Sequence, residues 1–212
     1  MELTFRLSTP ILGFMTFLEE RPLRADARRN REAILKAAKA VLARRGTDAQ
    51  MDDIARKAKV GVGTIYRHFP TKEALIEALM VDHFAQITGF VEEGLDDPDP
   101  FHGLVSALRR GAELGARDRG ITGMFGEHVQ KMIEVKRSAE RMNAATGELI
   151  RRAQAAGTMR ADVTVDDIPV FMCGVMQAMH KMGQSQDSWR RHLQLVIDGL
   201  RAGPHTTPLP GG

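Results

Sequence analysis

The stretch Met51–Leu75, MDDIARKAKVGVGTIYRHFPTKEAL, decides the fold of this chain. It predicts two short helices, Met51–Ala58 and Gly61–Phe69, separated by a tight turn and followed by a proline that ends the second helix. Ile65 and Phe69 are four residues apart, so both can pack on the same side of the second helix. Two short helices joined in this way predict a helix-turn-helix motif.

The segments on both sides of this motif are also predicted to be helical. An amphipathic helix precedes it, because apolar residues recur at helical spacing: Ile34, Ala37, Ala38, Val41 and Leu42. Asp26 is predicted to cap that helix and Gly46 to end it. Thr71 is predicted to cap a fourth, longer helix that extends to about Leu95.

The rest of the chain continues this helical pattern. An acidic segment with two prolines, residues 96–100, ends the fourth helix. Helical stretches follow near residues 101–116, 120–135, 136–156, 166–182 and 188–202. No run of alternating β-branched residues is long enough for a sheet. We therefore predict an all-α fold of about nine helices.

The charge of the chain is concentrated around the predicted motif. Residues 21–72 contain 14 Lys and Arg against 5 Asp and Glu, a local charge of +9, whereas the whole chain carries +3. Such asymmetry is typical of a segment that binds a polyanion, although a solvated basic helix face gives the same count. No apolar run reaches the roughly 18–20 residues of a membrane span, which argues against a membrane protein.

The sequence offers no catalytic, cofactor or metal motif. The seven histidines lack the H-x-x-x-H and H-E-x-x-H spacings, no G-x-S-x-G occurs, and Cys173 is the only cysteine. A single cysteine allows no internal disulfide, which fits a reducing compartment. Asp96, Asp97 and Asp99 are not expected to bind calcium, because the twelve-residue EF-hand pattern is absent and Pro98 lies between two of the carboxylates. We expect no enzymatic activity, no cofactor and no bound metal.

Two stretches of the sequence resemble a known family of proteins. NREAILKAAKAVLARRG (residues 30–46), followed by Met51–Leu75, resembles the N-terminal DNA-binding domain of the TetR family of bacterial transcriptional regulators. The C-terminal run WRRHLQLVIDGL (residues 189–200) is similar to the last helix of the SbtR-like subgroup. The resemblance implies a three-helix DNA-binding domain over residues 23–72 and a helical ligand-binding and dimerisation domain over 73–202. Residues 1–22 are expected to be a disordered extension or a wrongly assigned start, and 203–212 a disordered tail.

The resemblance also implies a set of DNA contacts. Family members touch phosphates from the positions of Tyr66, His68 and Lys72, and touch bases or backbone from those of Val62, Gly63, Thr64 and Arg67. Arg28, with Arg21, Arg24 and Arg29, is expected to form a basic arm, or simply to increase solubility. Two residues depart from the family pattern: Lys59 replaces a glycine in the turn, and Gln50 replaces the usual Ser or Thr cap.

In the second domain, the resemblance implies a dimer interface and a ligand pocket. Two apolar stripes are expected to form a four-helix interface with a second copy, or else to complete the core of one chain. They comprise Phe171, Val175, Ala178, Trp189, Leu193, Val196 and Leu200. A pocket for an apolar ligand is expected near several methionines, whose alternative role is ordinary core packing. Its candidates are Met124, Phe125, His128, Met132, Met172 and Met176.

Together these features predict a dimeric, cytoplasmic, ligand-responsive repressor that binds a palindromic double-stranded operator. The effector is a small molecule, and no membrane partner is expected. Two alternatives stay open at this point. The chain could be an activator or ligand-independent regulator on the same fold, or a sensor or scaffold whose helix-turn-helix no longer reads DNA.

Overall fold

A computed structural model of the chain describes residues 12–122, 131–181, 188–204 and 207–210. Within these ranges the backbone is almost entirely helical, and the only β-type contact is an isolated bridge between Met159 and Arg201. The all-α prediction is therefore confirmed. In chain order the helices are α1 (Leu12–Arg45), α2 (Met51–Ala58), α3 (Val62–His68), α4 (Lys72–Leu95), α5 (Pro100–Arg117), α6 (Arg119–Thr122), α7 (Ile133–Ala155), α8 (Asp167–Lys181) and α9 (Ser188–Leu200).

Several helix ends follow directly from local sequence. The Thr71 hydroxyl accepts a hydrogen bond from the backbone N–H of Ala74 at 3.1 Å, which confirms the predicted cap of α4. The Asp99 carboxylate accepts from the N–H groups of residues 101 and 102 and caps α5 in the same way. Gly46 follows α1 with a φ of +55°, a left-handed conformation that favours glycine.

Two predicted helix boundaries are wrong. α1 passes straight through Asp26, which pairs with Arg29 one turn further on and supports the helix rather than capping it. Residues 120–135 do not form one helix, because Lys131 and Met132 are not helical and α7 begins at Ile133. α7 then runs without the predicted break between residues 135 and 136. Residues 123–130 lie outside the described ranges.

The structure describes parts of both terminal segments that were expected to be disordered. Residues 12–22, inside the segment expected to be an extension, are helical as part of α1. At the other end, the Thr207 carbonyl accepts a hydrogen bond from Arg160, and the Leu209 N–H donates to Asp162. The described part of the predicted disordered tail thus contacts the α7–α8 connection. The domain limits themselves stay predictions.

Two hydrophobic clusters organise the molecule. The first joins α1–α3 to the start of α4 through fully buried residues such as Ile34, Ile54, Ile65 and Leu75. The second fills the space between α4, α5, α7, α8 and α9. We refer to α1–α3 as the head and to α5–α9 as the body, with α4 contributing to both clusters. The head is therefore fixed to the body by a continuous helix.

Close backbone contacts further restrict how these parts pack. A Cβ atom on Gly120 of α6 would lie inside the backbone of Leu42 and Ala43 of α1, so only glycine allows this head–body contact. A Cβ atom on Gly103 of α5 would likewise overlap the carbonyl of Gly94 on α4. Both contacts hold helices at distances that a larger residue would increase.

Among the described helices, α4 has the length and apolar composition of a membrane span, with a mean hydropathy of 1.3 over its best window. Its neighbours explain that composition. Leu75, Leu79, Met80, Phe84 and Val91 are all buried against other helices of this chain. The buried helices of globular proteins can be as long and as apolar as membrane helices, and α4 packs as such a core helix.

Candidate nucleic-acid interface and ligand cavity

The second helix of the motif, α3, has a buried side and an exposed side. Ile65 is fully buried and Phe69, directly after the helix, is 3% exposed, so these two residues anchor α3 in the head. The guanidinium of Arg31 lies 5.4 Å from the centre of the Phe69 ring. Val62 and Tyr66 are 46% and 44% exposed. The head thus presents one face of a firmly packed helix to solvent.

The exposed side of α3 carries the residues that the resemblance singled out. Gly63 and Arg67 are exposed together with Val62 and Tyr66, whereas Thr64 and His68 are half-buried. An added Cβ at Gly63 would meet nothing within 4 Å, so this part of the surface is open to a close partner. Hydroxyl, imidazole and guanidinium groups all donate hydrogen bonds to phosphate oxygens or base edges.

Basic residues continue this surface at both ends of the head. Lys72 is the first residue of α4 and is half-buried. Arg28 on α1 is exposed and lies 3.9 Å from Glu32 one turn away. The side chains of Arg21 and Arg24 lie outside what the structure describes.

The two departures from the family pattern have clear local effects. Lys59 adopts the left-handed conformation with a φ of +59°, the geometry that glycine would adopt at lower cost. Its N–H donates to the carbonyls of Ala55 and Arg56, so the turn keeps its hydrogen bonds. Gln50 precedes α2 without capping it, because its side-chain amide donates to the Asp48 carbonyl at 3.1 Å.

A partly buried group of three charged side chains connects the head to the body. The Lys39 ammonium on α1 lies 3.0 Å from a carboxylate oxygen of Asp82 on α4 and 3.1 Å from one of Asp118, between α5 and α6. The Asp118 side chain is only 9% exposed. Burial opposes the charge of Lys39, but the hydrogen bonds and charges of the two carboxylates outweigh it and raise the pKa of Lys39. We call this group the Lys39 clamp.

A cavity of about 290 Å³ lies within the body, next to the clamp. Its walls are parts of four helices, and most lining residues are apolar. α4 contributes His83, Phe84, Ile87 and Val91; α5 contributes Leu104, Ala107, Leu108, Gly111 and Gly115; α7 contributes Ala139, Met142, Asn143 and Thr146; and α8 contributes Ile168, Pro169, Met172, Cys173, Met176 and Gln177. Helix α4 therefore runs from the cavity to the exposed face of the head.

The structure places only some of the predicted pocket residues at the cavity. Met172 and Met176 line the cavity. Met132 packs against the first hydrophobic cluster and is not among the described residues that line the cavity, so its place in the pocket stays a prediction. Met124, Phe125 and His128 lie outside the described residues. The sequence pattern missed the contributions of α4 and α5, since their apolar stripes look like any core-facing stripe.

His83 stands between the cavity and the Lys39 clamp. It is 3% exposed, and burial lowers its pKa to about 4, with Asp118 opposing and Lys39 reinforcing the shift. His83 is therefore neutral at pH 7. The same side chain lines the cavity and interacts with the charges of the clamp.

The predicted dimer residues fall into two groups. Trp189, Leu193 and Leu200 are 2–6% exposed within the second hydrophobic cluster, so these side chains complete the core of the chain. This corrects their assignment to a surface interface. The four others remain candidates for it: Phe171 and Ala178 are exposed, and Val175 and Val196 are half-buried. Two more apolar residues are exposed on the same helices, Val170 at 70% and Leu195 at 63%.

The fold and these sites define a class of protein: a helix-turn-helix head with an exposed second helix, joined by one long helix to a body with an apolar cavity. Comparison with protein families identifies the class more closely. Residues 34–79 match the model of bacterial regulatory proteins of the tetR family, and residues 99–202 match that of the SbtR-like transcriptional regulator C-terminal domain. The chain belongs to the TetR family of transcriptional regulators.

Individual relatives agree with this assignment over most of their length. A TetR regulator from Mycobacterium vanbaalenii is 34% identical, with 85% of this chain and 99% of that one covered and a TM-score of 0.61. The regulator SCO0520 from Streptomyces coelicolor is 32% identical, with 81% and 98% covered and a TM-score of 0.62. The repressor LfrR of Mycolicibacterium smegmatis is 26% identical over 85% of this chain and 93% of its own.

Other similarities are local. A 42% identical stretch shared with an HTH-type regulator of Staphylococcus aureus spans only 33% of that protein. Membership of the family implies that the chain binds DNA as a transcriptional regulator. The family consists of regulators rather than enzymes, in agreement with the prediction of no enzymatic activity.

Proposed function

We propose that this protein is a dimeric repressor that binds a palindromic operator and is released from it by a small-molecule effector. The observation that carries the proposal is the exposed face of α3 on a basic head, connected by α4 to an apolar cavity. Two such helices, about one DNA turn apart in a symmetric dimer, match the two halves of a palindrome. The protein acts on chromosomal DNA in the bacterial cytoplasm.

DNA contacts are proposed for the exposed surface of the head. Tyr66, His68 and Lys72 bind phosphates, and Arg28 extends the same backbone contact. The four remaining residues of the predicted set, Val62, Gly63, Thr64 and Arg67, face base edges or the adjacent backbone in the major groove. Phosphate contacts supply most of the affinity, so binding falls steeply with salt.

Release is proposed to act through α4. This helix has 24 residues and is about 36 Å long at 1.5 Å per residue. Lys72 lies at its DNA-facing end, and His83 and Phe84 reach the cavity near its middle. A ligand that tilts α4 changes the separation of the two heads, and a coupling of roughly 1–3 kcal/mol is typical of such linkage.

The test of this proposal is selection of genomic DNA fragments by the purified protein at two salt concentrations. We expect one short palindrome to be enriched at both, because base contacts persist when phosphate contacts are screened. If the protein is an activator instead of a repressor, deleting its gene will lower the transcription of its target genes. Salt-sensitive binding without an enriched palindrome would contradict the proposal and favour the sensor or scaffold alternative.

The dimer is proposed to form through the outer faces of α8 and α9. Phe171 and Leu195 are exposed apolar residues on these helices, and exposed apolar patches mark interaction surfaces. Phe171→Glu combined with Leu195→Glu is expected to convert the dimer into a folded monomer, as measured by light scattering coupled to size-exclusion chromatography.

The matched control for this double variant is Ile133→Glu, which charges an apolar side chain that is 66% exposed on α7. It should leave the dimer intact. A substitution of Trp189, another residue of the predicted interface, would not test the dimer, because Trp189 is buried and Trp189→Asp disrupts the core. A dimer that survives the double substitution on α8 and α9 would place the interface elsewhere.

A further inference from the structure

The cavity in the body has a distinctive chemical composition. None of its described lining residues is Lys, Arg, Asp or Glu, and fourteen of the nineteen are apolar side chains or glycine. The polar side chains are those of His83, Asn143, Thr146, Cys173 and Gln177. Placing an ion in such an environment is strongly unfavourable unless an opposite charge pairs with it.

The polar lining groups are themselves neutral or already bonded. His83 is neutral at pH 7, since burial lowers its pKa to about 4. The Thr146 hydroxyl donates to the Met142 carbonyl at 2.8 Å within α7. Burial also raises the pKa of Cys173, so its thiol is protonated. No described lining group therefore provides a compensating charge.

Asn143 differs from these groups. It is half-buried in the cavity wall, and its side-chain amide makes no hydrogen bond to any described residue. An amide offers both a donor and an acceptor, and a group of this kind in an apolar cavity is satisfied by a neutral polar group of a ligand.

From this composition we infer that the effector is an uncharged, mainly apolar molecule with one hydroxyl or carbonyl group that hydrogen-bonds to Asn143. This inference rests on the proposed function, because it names the ligand class of the proposed effector site. The cavity of about 290 Å³ is at the lower end of the usual range for ligand sites, so the molecule is small. Because no described lining residue carries a charge, carboxylates, ammonium compounds and phosphate esters are expected to bind more weakly.

The test uses three probes of equal chain length, 1-octanol, octanoate and octylamine, with the DNA-free protein at pH 7. Affinity is measured by calorimetry, and occupancy by protection of Cys173 from a maleimide, since Cys173 lines the cavity and is the only cysteine. We expect octanol to bind about tenfold or more tightly than either ion. Asn143→Leu should weaken the binding of octanol by about tenfold. The binding of 1-chlorooctane, a fourth compound that lacks the hydroxyl group, should not change.

A cavity-filling variant identifies the site. Gly111 lines the cavity, and a Cβ added there meets nothing within 4 Å, so the side chain of Gly111→Leu starts in open space at the cavity wall, and the change improves helix propensity. It is expected to abolish octanol binding. The matched control is Gly89→Leu on α4, where an added Cβ also meets nothing within 4 Å and which does not line the cavity.

The outcomes separate this inference from the proposed function. Octanol binding that is lost in Gly111→Leu but kept in Gly89→Leu supports the ligand class. The inference is overturned if octanoate or octylamine binds as tightly as octanol, if octanol binding survives Gly111→Leu, or if none of the probes binds. Octanol that binds in the cavity but does not release DNA would leave the ligand class intact and contradict the proposed release.

Discussion

Replacing Tyr66 by Phe and Lys72 by Ala is expected to lower operator affinity by at least about 1,000-fold without destabilising the protein. Both lost hydrogen bonds end on an ionised phosphate and are worth about 1.5–3 kcal/mol each, and a symmetric dimer loses each contact twice. The fold should tolerate both changes. Tyr66 is 44% exposed, and a positive charge at the first residue of α4 is unfavourable to the helix dipole.

The salt dependence of binding gives a second measurement for the same variant. Each lost lysine or arginine contact to a phosphate reduces the slope of log affinity against log salt by about 0.9, so loss of Lys72 in both subunits should reduce the slope by about 2. Lys57→Ala is the control, because Lys57 is an exposed lysine of α2 outside the proposed contact set. Unchanged affinity and slope in the double variant would refute the assignment of Tyr66 and Lys72.

The head could be predicted from sequence because its structure is determined by short-range chemistry. Apolar spacing, the Thr71 cap and the proline after Phe69 are all local signals, and each corresponds to an element in the structure. The exposed side of α3 could also be predicted from the sequence, because only Ile65 and Phe69 have the spacing needed to face the core of the head.

The body could be predicted less well, since a periodic pattern identifies an apolar stripe but not what covers it. Trp189, Leu193 and Leu200 form such a stripe, and it faces the core of the chain rather than a partner. The cavity poses the same difficulty. Gly111 and Asn143 come from α5 and α7, and only the packing of four helices shows that space remains between them.

The Lys39 clamp was also beyond sequence reasoning, because its members come from distant parts of the chain. Lys39 and Asp82 are 43 residues apart in sequence, and Asp118 is further still. The clamp fastens α1 of the head to α4 and to the α5–α6 junction, and His83 places the ligand cavity directly beside it. These contacts give the proposed release a physical route from cavity to head.

Lys39→Met is expected to destabilise the protein by about 3 kcal/mol at pH 8, because it leaves the buried Asp118 carboxylate without its main counter-charge. The loss should shrink as the pH falls. Lys39 helps to lower the pKa of His83, whereas Asp118 raises it, so the pKa of His83 rises in the variant. A His83 that takes up a proton compensates Asp118 and restores part of the stability.

The sign of this effect distinguishes the clamp from simple packing. In the wild-type protein the pKa of His83 is lowered from 6.5 to about 4. Between these two pH values the unfolded chain binds a proton that the folded chain does not, so the free energy of unfolding decreases as the pH falls. In the variant this decrease should be smaller, and its free energy of unfolding should approach that of the wild type. Arg117→Met is the control, since Arg117 is 69% exposed and lies 3.6 Å from Asp118. A pH-independent loss in Lys39→Met, with an unchanged His83 titration by NMR, would show that Lys39 acts only through packing.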